Sequence, residues 1–120
     1  MTVNDVVVKK IFNSQTVAAS GTADSSIYDI GAESWNRTYS MQIYVTGASA
    51  SITASCLQSN NKSNFIGASG VSAICSNYPG AADSDYAIYS FSPVTARFMK
   101  IRLTETNGAE ATVTAWMAMG

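Results

Sequence analysis

The stretch YSMQIYVT, residues 39–46, decides the fold class of this 120-residue chain. Positions 39, 41, 43 and 45 are apolar, whereas Ser40, Gln42 and Thr46 between them are polar. This period of two is typical of a β-strand that buries one face and leaves the other toward solvent. Tyr44 interrupts the polar side. The stretch therefore predicts a half-buried strand with one aromatic ring on its outward face.

The same alternation recurs along the chain, and no segment shows the period of an amphipathic helix. Residues 51–58 alternate after the turn Gly47-Ala48, so these two runs predict a hairpin. Residues 97–104 and 110–119 form a second such pair around the turn Asn107-Gly108. Shorter strands are expected at residues 6–12, 15–19, 26–30, 66–74 and 86–91.

Together these runs predict an all-β fold, a single-domain antiparallel β-sandwich over residues 1–120. About eight or nine strands at this spacing suggest a jelly-roll-like arrangement. Residues 1–12 are expected to form an edge strand or an N-terminal arm that reaches a neighbour.

The chain contains no histidine, which removes the most common general base and the most common metal ligand. A carboxylate pair for glycoside hydrolysis would need two acids in a cleft, and no acid stands at a diagnostic spacing. We therefore expect a protein that is not an enzyme and that needs no cofactor. The acids considered for such a pair are Asp5, Asp24, Asp29, Glu33, Glu105 and Glu110.

Net charge argues against nucleic acid as a partner. Seven Lys+Arg and eight Asp+Glu give a formal net charge of −1, too little for a phosphate-binding stripe. No run of apolar residues is long enough for a membrane helix, so no membrane partner is expected. The first residues show no signal peptide, and we expect synthesis in a host cytoplasm.

The two cysteines and one acidic loop are the only other groups with characteristic chemistry. Cys56 and Cys75 lack CxxC spacing, and we expect both to be free, partly buried thiols; a disulfide, which a reducing cytoplasm disfavours, is the alternative. Asp83 and Asp85 are weak candidates for calcium, because alternate Asp positions on a loop can supply oxygen ligands. Ordinary turn chemistry is the favoured interpretation, so no metal site is predicted.

Aromatic residues on the polar sides of strands are the main functional signal. Tyr44, Tyr89, Phe98 and Trp116 fall on those sides by alternation. Exposed aromatics on a sheet face serve as protein interfaces or as sugar-stacking platforms. Protein contact is the favoured interpretation, with plain core cover and carbohydrate binding as alternatives.

Four segments carry a resemblance to a known group: residues 26–31 (SIYDIG), 39–43 (YSMQI), 59–65 (SNNKSNF) and 96–102 (ARFMKIR). The last resembles a strand of discoidin-like and jelly-roll modules in which an aromatic and basic residues alternate beside a branched core. The third resembles a turn of the same modules, with Asn61-Lys62 where they carry Asp-Gly. The chain thus resembles small β-sandwich structural proteins of tailed bacteriophages.

That resemblance implies a virion component, either a capsid decoration protein or a tail-associated module. Its partners would be copies of itself, with a trimer favoured, and a major capsid or tail protein. The residues expected at these contacts are Tyr44, Phe98 and Trp116, with Val6 and Val8 of the N-terminal arm. Discoidin-like modules also bind glycans, so the alternative is a carbohydrate-binding module.

Overall fold

Buried and half-buried side chains alternate strictly along residues 39–46. One face of this strand therefore packs into the core between two layers of β-sheet. The computed structural model describes residues 7–29, 38–47, 49–67, 73–78, 86–92 and 97–119. Within these ranges the chain forms ten strands and no helix. They are β1 (Val7–Val17), β2 (Thr22–Asp24), β3 (Tyr28–Asp29), β4 (Tyr39–Thr46), β5 (Ile52–Ser59), β6 (Ile66–Gly67), β7 (Cys75–Tyr78), β8 (Tyr86–Phe91), β9 (Phe98–Glu105) and β10 (Ala111–Met119).

The strands form two antiparallel sheets. Sheet A has the order β1-β10-β4-β8. In sheet B, β9 and β5 are the central pair; β2 and β3 both pair with β9, and β6 and β7 both pair with β5. Since β2 and β3 share one position and β6 and β7 share another, eight strand positions result, the number in a jelly roll. The predicted all-β antiparallel sandwich is confirmed.

Strand pairing is nested from the two ends of the chain inward. The first strand pairs with the last, β2 and β3 pair with β9, β4 pairs with β8, and β5 pairs with β6 and β7. The topology is that of one long antiparallel hairpin rolled into two layers. Except for β5 and β6, which follow one another, each strand therefore pairs with a partner far along the sequence rather than across the next turn.

Both predicted hairpins are wrong for this reason. Although β4 and β5 follow one another, β4 lies in sheet A and β5 lies in sheet B. Likewise β9 belongs to sheet B and β10 to sheet A. The turns at residues 47–51 and 106–110 thus cross between the layers. Gly47 permits the first crossing, because its φ is +131° and a Cβ there would lie 2.6 Å from the Glu110 carbonyl oxygen.

The core lies between the inner faces of the two sheets. Sheet A contributes the inward positions of β4 and β10, and sheet B contributes those of β5 and β9. The fully buried side chains include Met41, Ile43, Val45, Ile52, Met99, Ile101, Leu103 and Val113, each at 0% exposure. Burial of these side chains at about 25 cal/mol per Å² of apolar surface supplies the main stabilising free energy.

A buried carboxylate, Glu105, joins the turns at one end of the sandwich. Its Oε1 accepts the backbone N–H groups of Ser20 (2.9 Å) and Ala109 (3.0 Å). Its Oε2 accepts those of Ser51 (3.2 Å) and Asn107 (2.8 Å). Burial alone would raise the pKa of this carboxyl, but the four donors outweigh it and hold the pKa at about 2. Glu105 is thus a buried anion that links the backbone of three turns.

The part of the chain that the structure describes contains no helix long and apolar enough to span a membrane.

Candidate functional site

The outer face of sheet A brings together side chains from all four of its strands. Because β4 and β10 alternate, Tyr44 and Trp116 point away from the core. The strand register places Tyr86 of β8 directly opposite Tyr44, and Gln42 directly opposite Trp116. Side chains at directly opposed positions lie within contact distance of each other. Strand pairing therefore gathers three aromatic residues that are far apart in the sequence.

These three residues form a continuous row of rings, here called the aromatic strip: Tyr44, Tyr86 and Trp116. The rings of Tyr44 and Tyr86 stack, with centroids 4.7 Å apart and planes 23° apart. The Tyr86 and Trp116 centroids lie 6.2 Å apart at 34°. The Lys10 ammonium caps the strip, 5.4 Å from the Trp116 ring. Both ring distances fall in the range of favourable aromatic pairs.

Large apolar side chains extend the strip to both edges of the sheet. Ile88 on β8 is 65% exposed, Tyr86 is 56% exposed, and Val8 on β1 is 62% exposed. Single exposed apolar residues are common, but a contiguous group on one sheet face marks an interaction surface. The outer face of sheet A therefore has the composition of a contact surface.

The residues predicted at contacts are divided between the two sheets. Tyr44, Trp116 and Val8 lie on the outer face of sheet A. Phe98 begins β9 and lies on the outer face of sheet B, so the structure does not bring it to the other three. Val6 lies outside the described residues, as do the calcium candidates Asp83 and Asp85.

Two further residues of this surface were missed, and one aromatic was placed on the wrong side. Tyr86 and Ile88 were not among the predicted contact residues. Tyr89 packs against the core and forms an edge contact with Tyr78 at 6.1 Å, so its predicted position on the outward face is wrong. Both errors share one cause: residues 86–91 are apolar at almost every position, and alternation alone does not identify the inner side.

The outer face of sheet B is different in character, because cations and aromatic rings alternate on it. Lys62 and Arg97 both lie over the Phe98 ring, at 5.7 Å and 5.2 Å from its centroid. The Lys100 ammonium lies 4.8 Å from the Phe65 ring. Cations within about 6 Å of a ring centroid are attracted by its electron-rich face. We call this surface the cationic face: Lys62, Phe65, Arg97, Phe98, Lys100 and Arg102.

Two carboxylates are bound within the cationic face. Asp24 receives two hydrogen bonds from Arg102, at 2.8 Å and 3.0 Å, and a salt bridge from Lys100 at 3.0 Å. Arg102 lowers the pKa of Asp24 most strongly, burial opposes the shift, and Lys100 adds to it, so the pKa is about 2. Asp29 pairs with Arg97 at 3.3 Å. Both acids are thus partners in ion pairs of this face.

The asparagine-rich loop beside this face is held by its own side chains. The Ser59 hydroxyl oxygen accepts the N–H groups of Asn61 and Lys62, and Asn61 Oδ1 accepts those of Ser63 and Asn64. These are the local bonds of an Asx-type turn. Within the described ranges no group of three or more Cys, Asp and Glu side chains could hold a metal ion.

Both cysteines are buried and unbridged. Cys56 is 4% exposed and Cys75 is 5% exposed, and the structure records both as free thiols. Burial raises the pKa of Cys56 to about 12 and also raises that of Cys75. Thiolate chemistry is thereby suppressed, so the cysteines act as small core residues.

Comparison with solved structures identifies the fold. The VP2 subviral particle of infectious bursal disease virus matches with a TM-score of 0.68 at 9% identity, over 95% of this chain and 31% of that chain. The Gx strain of the same virus gives 0.66 at 11% identity, over 97% and 32%. Latent PorU from Porphyromonas gingivalis gives 0.51 at 8% identity, over 95% and 12%.

The chain spans about a third of the length of the VP2 chains that it matches. At these identities the likeness concerns the β-sandwich alone, and a fold does not by itself fix a function. No protein-family model matches the sequence, and no curated protein is similar to it. The comparison therefore supports the predicted β-sandwich, and kinship with viral structural proteins stays a prediction. The tailed-phage origin rests on the sequence resemblance alone.

Proposed function

We propose that this protein is a non-enzymatic structural module of a virus particle that acts through protein–protein contacts. The observation that carries the proposal is the aromatic strip on the outer face of sheet A, in which Tyr86 is exposed and Tyr44 and Trp116 are half-buried. Aromatic side chains dominate the binding energy of protein interfaces, because each buries roughly 150–250 Å². The first partner we propose is a second copy of this chain, in a homo-oligomer with a trimer favoured.

The strip and its flanks match the usual anatomy of an interface. Rings at the centre are bordered by apolar Ile88 and Val8 and by the cation Lys10. An apolar centre with a polar rim is the arrangement that excludes water from the strongest contacts. Stable contacts of this kind bury roughly 1,200–2,000 Å² in total.

The chemistry of the described acids and thiols favours a structural role over catalysis. Asp24 and Asp29 pair with cations, and Glu105 is surrounded by backbone N–H donors. The thiols of Cys56 and Cys75 lie in the core. Each of these groups is thus engaged in holding the fold together.

We also propose which kind of virus particle contains this protein and where in the particle it lies. The fold is shared with VP2, whose structure was solved as a subviral particle. The sequence segments that resemble tailed-phage modules favour a capsid decoration protein or a tail-associated module within a virion. A major capsid or tail protein would then be the second partner.

Light scattering across a dilution series of the purified protein tests this proposal. A defined oligomer that persists on dilution is the expected result. A monomer at all concentrations would count against self-assembly through the strip.

Carbohydrate binding is the second candidate function, and the same strip supports it. The half-buried Tyr44 ring and the exposed Tyr86 ring stack and offer flat apolar surface of the kind on which sugar rings pack. A glycan array distinguishes the two functions. Glycan binding by a monomer, lost in Tyr86→Ala, would favour the carbohydrate-binding module, whereas oligomers without glycan binding would favour assembly.

A further inference from the structure

The positive charge of this protein is concentrated on the cationic face of sheet B. The described residues include six Lys and Arg side chains, and Lys62, Arg97, Lys100 and Arg102 lie on this face. Only two described carboxylates, Asp24 and Asp29, pair with them. The face therefore carries two more positive than negative charges, although the whole chain has a net charge of −1.

This excess is not neutralised by contacts among the described residues. Asp24 is shared between Lys100 and Arg102, so one carboxylate serves two cations. Lys62 lies over the Phe98 ring and forms no ion pair with a described carboxylate. A ring attracts a cation through its quadrupole but carries no net charge to cancel it. A partner could still neutralise two charges here.

The cations are also held in position before any partner arrives. Lys62 and Arg97 lie over the same ring, Lys100 lies against Phe65, and Arg102 is fixed by two hydrogen bonds to Asp24. Lys100 and Arg102 are two residues apart on β9, so their Cα atoms are about 7 Å apart. Binding to positioned side chains loses less conformational entropy than binding to mobile ones.

The mixture of rings and cations indicates the class of partner. Phe65 and Phe98 are half-buried on this face and leave apolar surface between the charges. Arg and aromatic residues are enriched in protein interfaces, whereas nucleic-acid sites need a longer and denser run of cations. Arg97 and Arg102 also suit carboxylates, which guanidinium groups bind with two parallel hydrogen bonds.

We propose that the cationic face binds an acidic protein segment with closely spaced Asp or Glu residues. Carboxylates of the segment pair with Lys62 and with the cations that Asp24 shares, and its apolar side chains lie on Phe65 and Phe98. This face belongs to sheet B and the aromatic strip to sheet A, so one chain presents two separate contact surfaces. The inference does not depend on the proposed self-assembly.

Fluorescence anisotropy with a labelled oligoglutamate peptide that also carries phenylalanine tests the proposal. We expect binding that weakens as sodium chloride concentration rises, because the contacts are between charges. The double variant Lys62→Gln/Arg102→Gln should bind about tenfold more weakly, as for the loss of two charge contacts. Lys9→Gln is the matched control, since it removes a cation that belongs to neither the cationic face nor the aromatic strip, and its affinity should be unchanged.

Three results would overturn the proposal: no binding of the peptide, an equal loss in Lys9→Gln, or binding of heparin but not of the peptide. Thermal unfolding of each variant checks that the fold is retained, since both replaced side chains are on the surface. Light scattering of the double variant separates this surface from the strip. Its oligomeric mass should equal that of the unmodified protein whether or not peptide binding is lost.

Discussion

Ser20 and Glu105 stand 85 positions apart, yet the Ser20 backbone N–H donates a 2.9 Å hydrogen bond to the Glu105 carboxylate. The same carboxylate binds the backbone at Ser51, Asn107 and Ala109. The turns that it joins are those after β1, before β5 and between β9 and β10. One buried side chain thus connects the segments that cross between the two sheets.

Replacing this carboxylate should destabilise the protein. In Glu105→Gln an NH₂ group would face N–H donors and leave some of the four unpaired, and unpaired buried donors are costly. We expect a clear fall in the midpoint of thermal unfolding, measured by circular dichroism. Glu110→Gln is the control, because Glu110 is exposed and its midpoint should be nearly unchanged. Equal midpoints for the two variants would show that the four hydrogen bonds contribute little.

Acid should weaken the fold through two carboxylates. The pKa of Glu105 is lowered from 4.5 to about 2, and that of Asp24 from 3.8 to about 2. A lowered folded-state pKa stabilises the fold above the unfolded-state value, and this stability is lost as pH falls through the folded-state value. Denaturant midpoints should therefore be steady above about pH 4.5 and fall toward about pH 2.

The Glu105→Gln variant provides the internal check on this pH dependence. It lacks the titrating group, so its midpoint should fall less steeply over the same pH interval. If the variant and the unmodified protein lose stability in parallel, Glu105 is not a source of the acid sensitivity.

The two thiols should be unreactive while the protein is folded. Cys56 and Cys75 are almost fully buried, and burial raises both pKa values, so little thiolate forms at mildly alkaline pH. Ellman's reagent should titrate neither thiol quickly in buffer and both in guanidinium chloride. Rapid labelling in buffer would show that this part of sheet B opens readily.

The sequence was sufficient to predict the strands but not their partners. Alternation identified residues 39–46 and 97–104 as half-buried strands, with the correct residues facing inward in each, although the second strand spans Phe98–Glu105 in the structure. The prediction of hairpins was wrong at both turns, because Gly47-Ala48 and Asn107-Gly108 have the composition of hairpin turns but connect strands of different sheets. Pairing of β1 with β10 and of β4 with β8 joins residues far apart in the chain, and no local pattern encodes it.

The surfaces were predictable only in part for the same reason. Tyr44 and Trp116 could be placed outward from their own strands, but their link through Tyr86 depends on the register across β8, β4 and β10. Phe98 was also correctly predicted to face outward, but it lies on sheet B, whereas Tyr44 and Trp116 lie on sheet A. One missed signal was present: the inward series of β9 continues to Glu105, and an acid at a core position requires hydrogen-bond partners.

We proposed above that the aromatic strip of Tyr44, Tyr86 and Trp116 is a protein contact surface. Light scattering of the unmodified protein beside the double variant Tyr86→Ala/Trp116→Ala, at matched concentration, tests it most directly. Both replaced side chains lie outside the core, so circular dichroism should show an intact fold. We expect a defined oligomer for the unmodified protein and a monomer for the variant. The same mass for both proteins, or an unfolded variant, would contradict it.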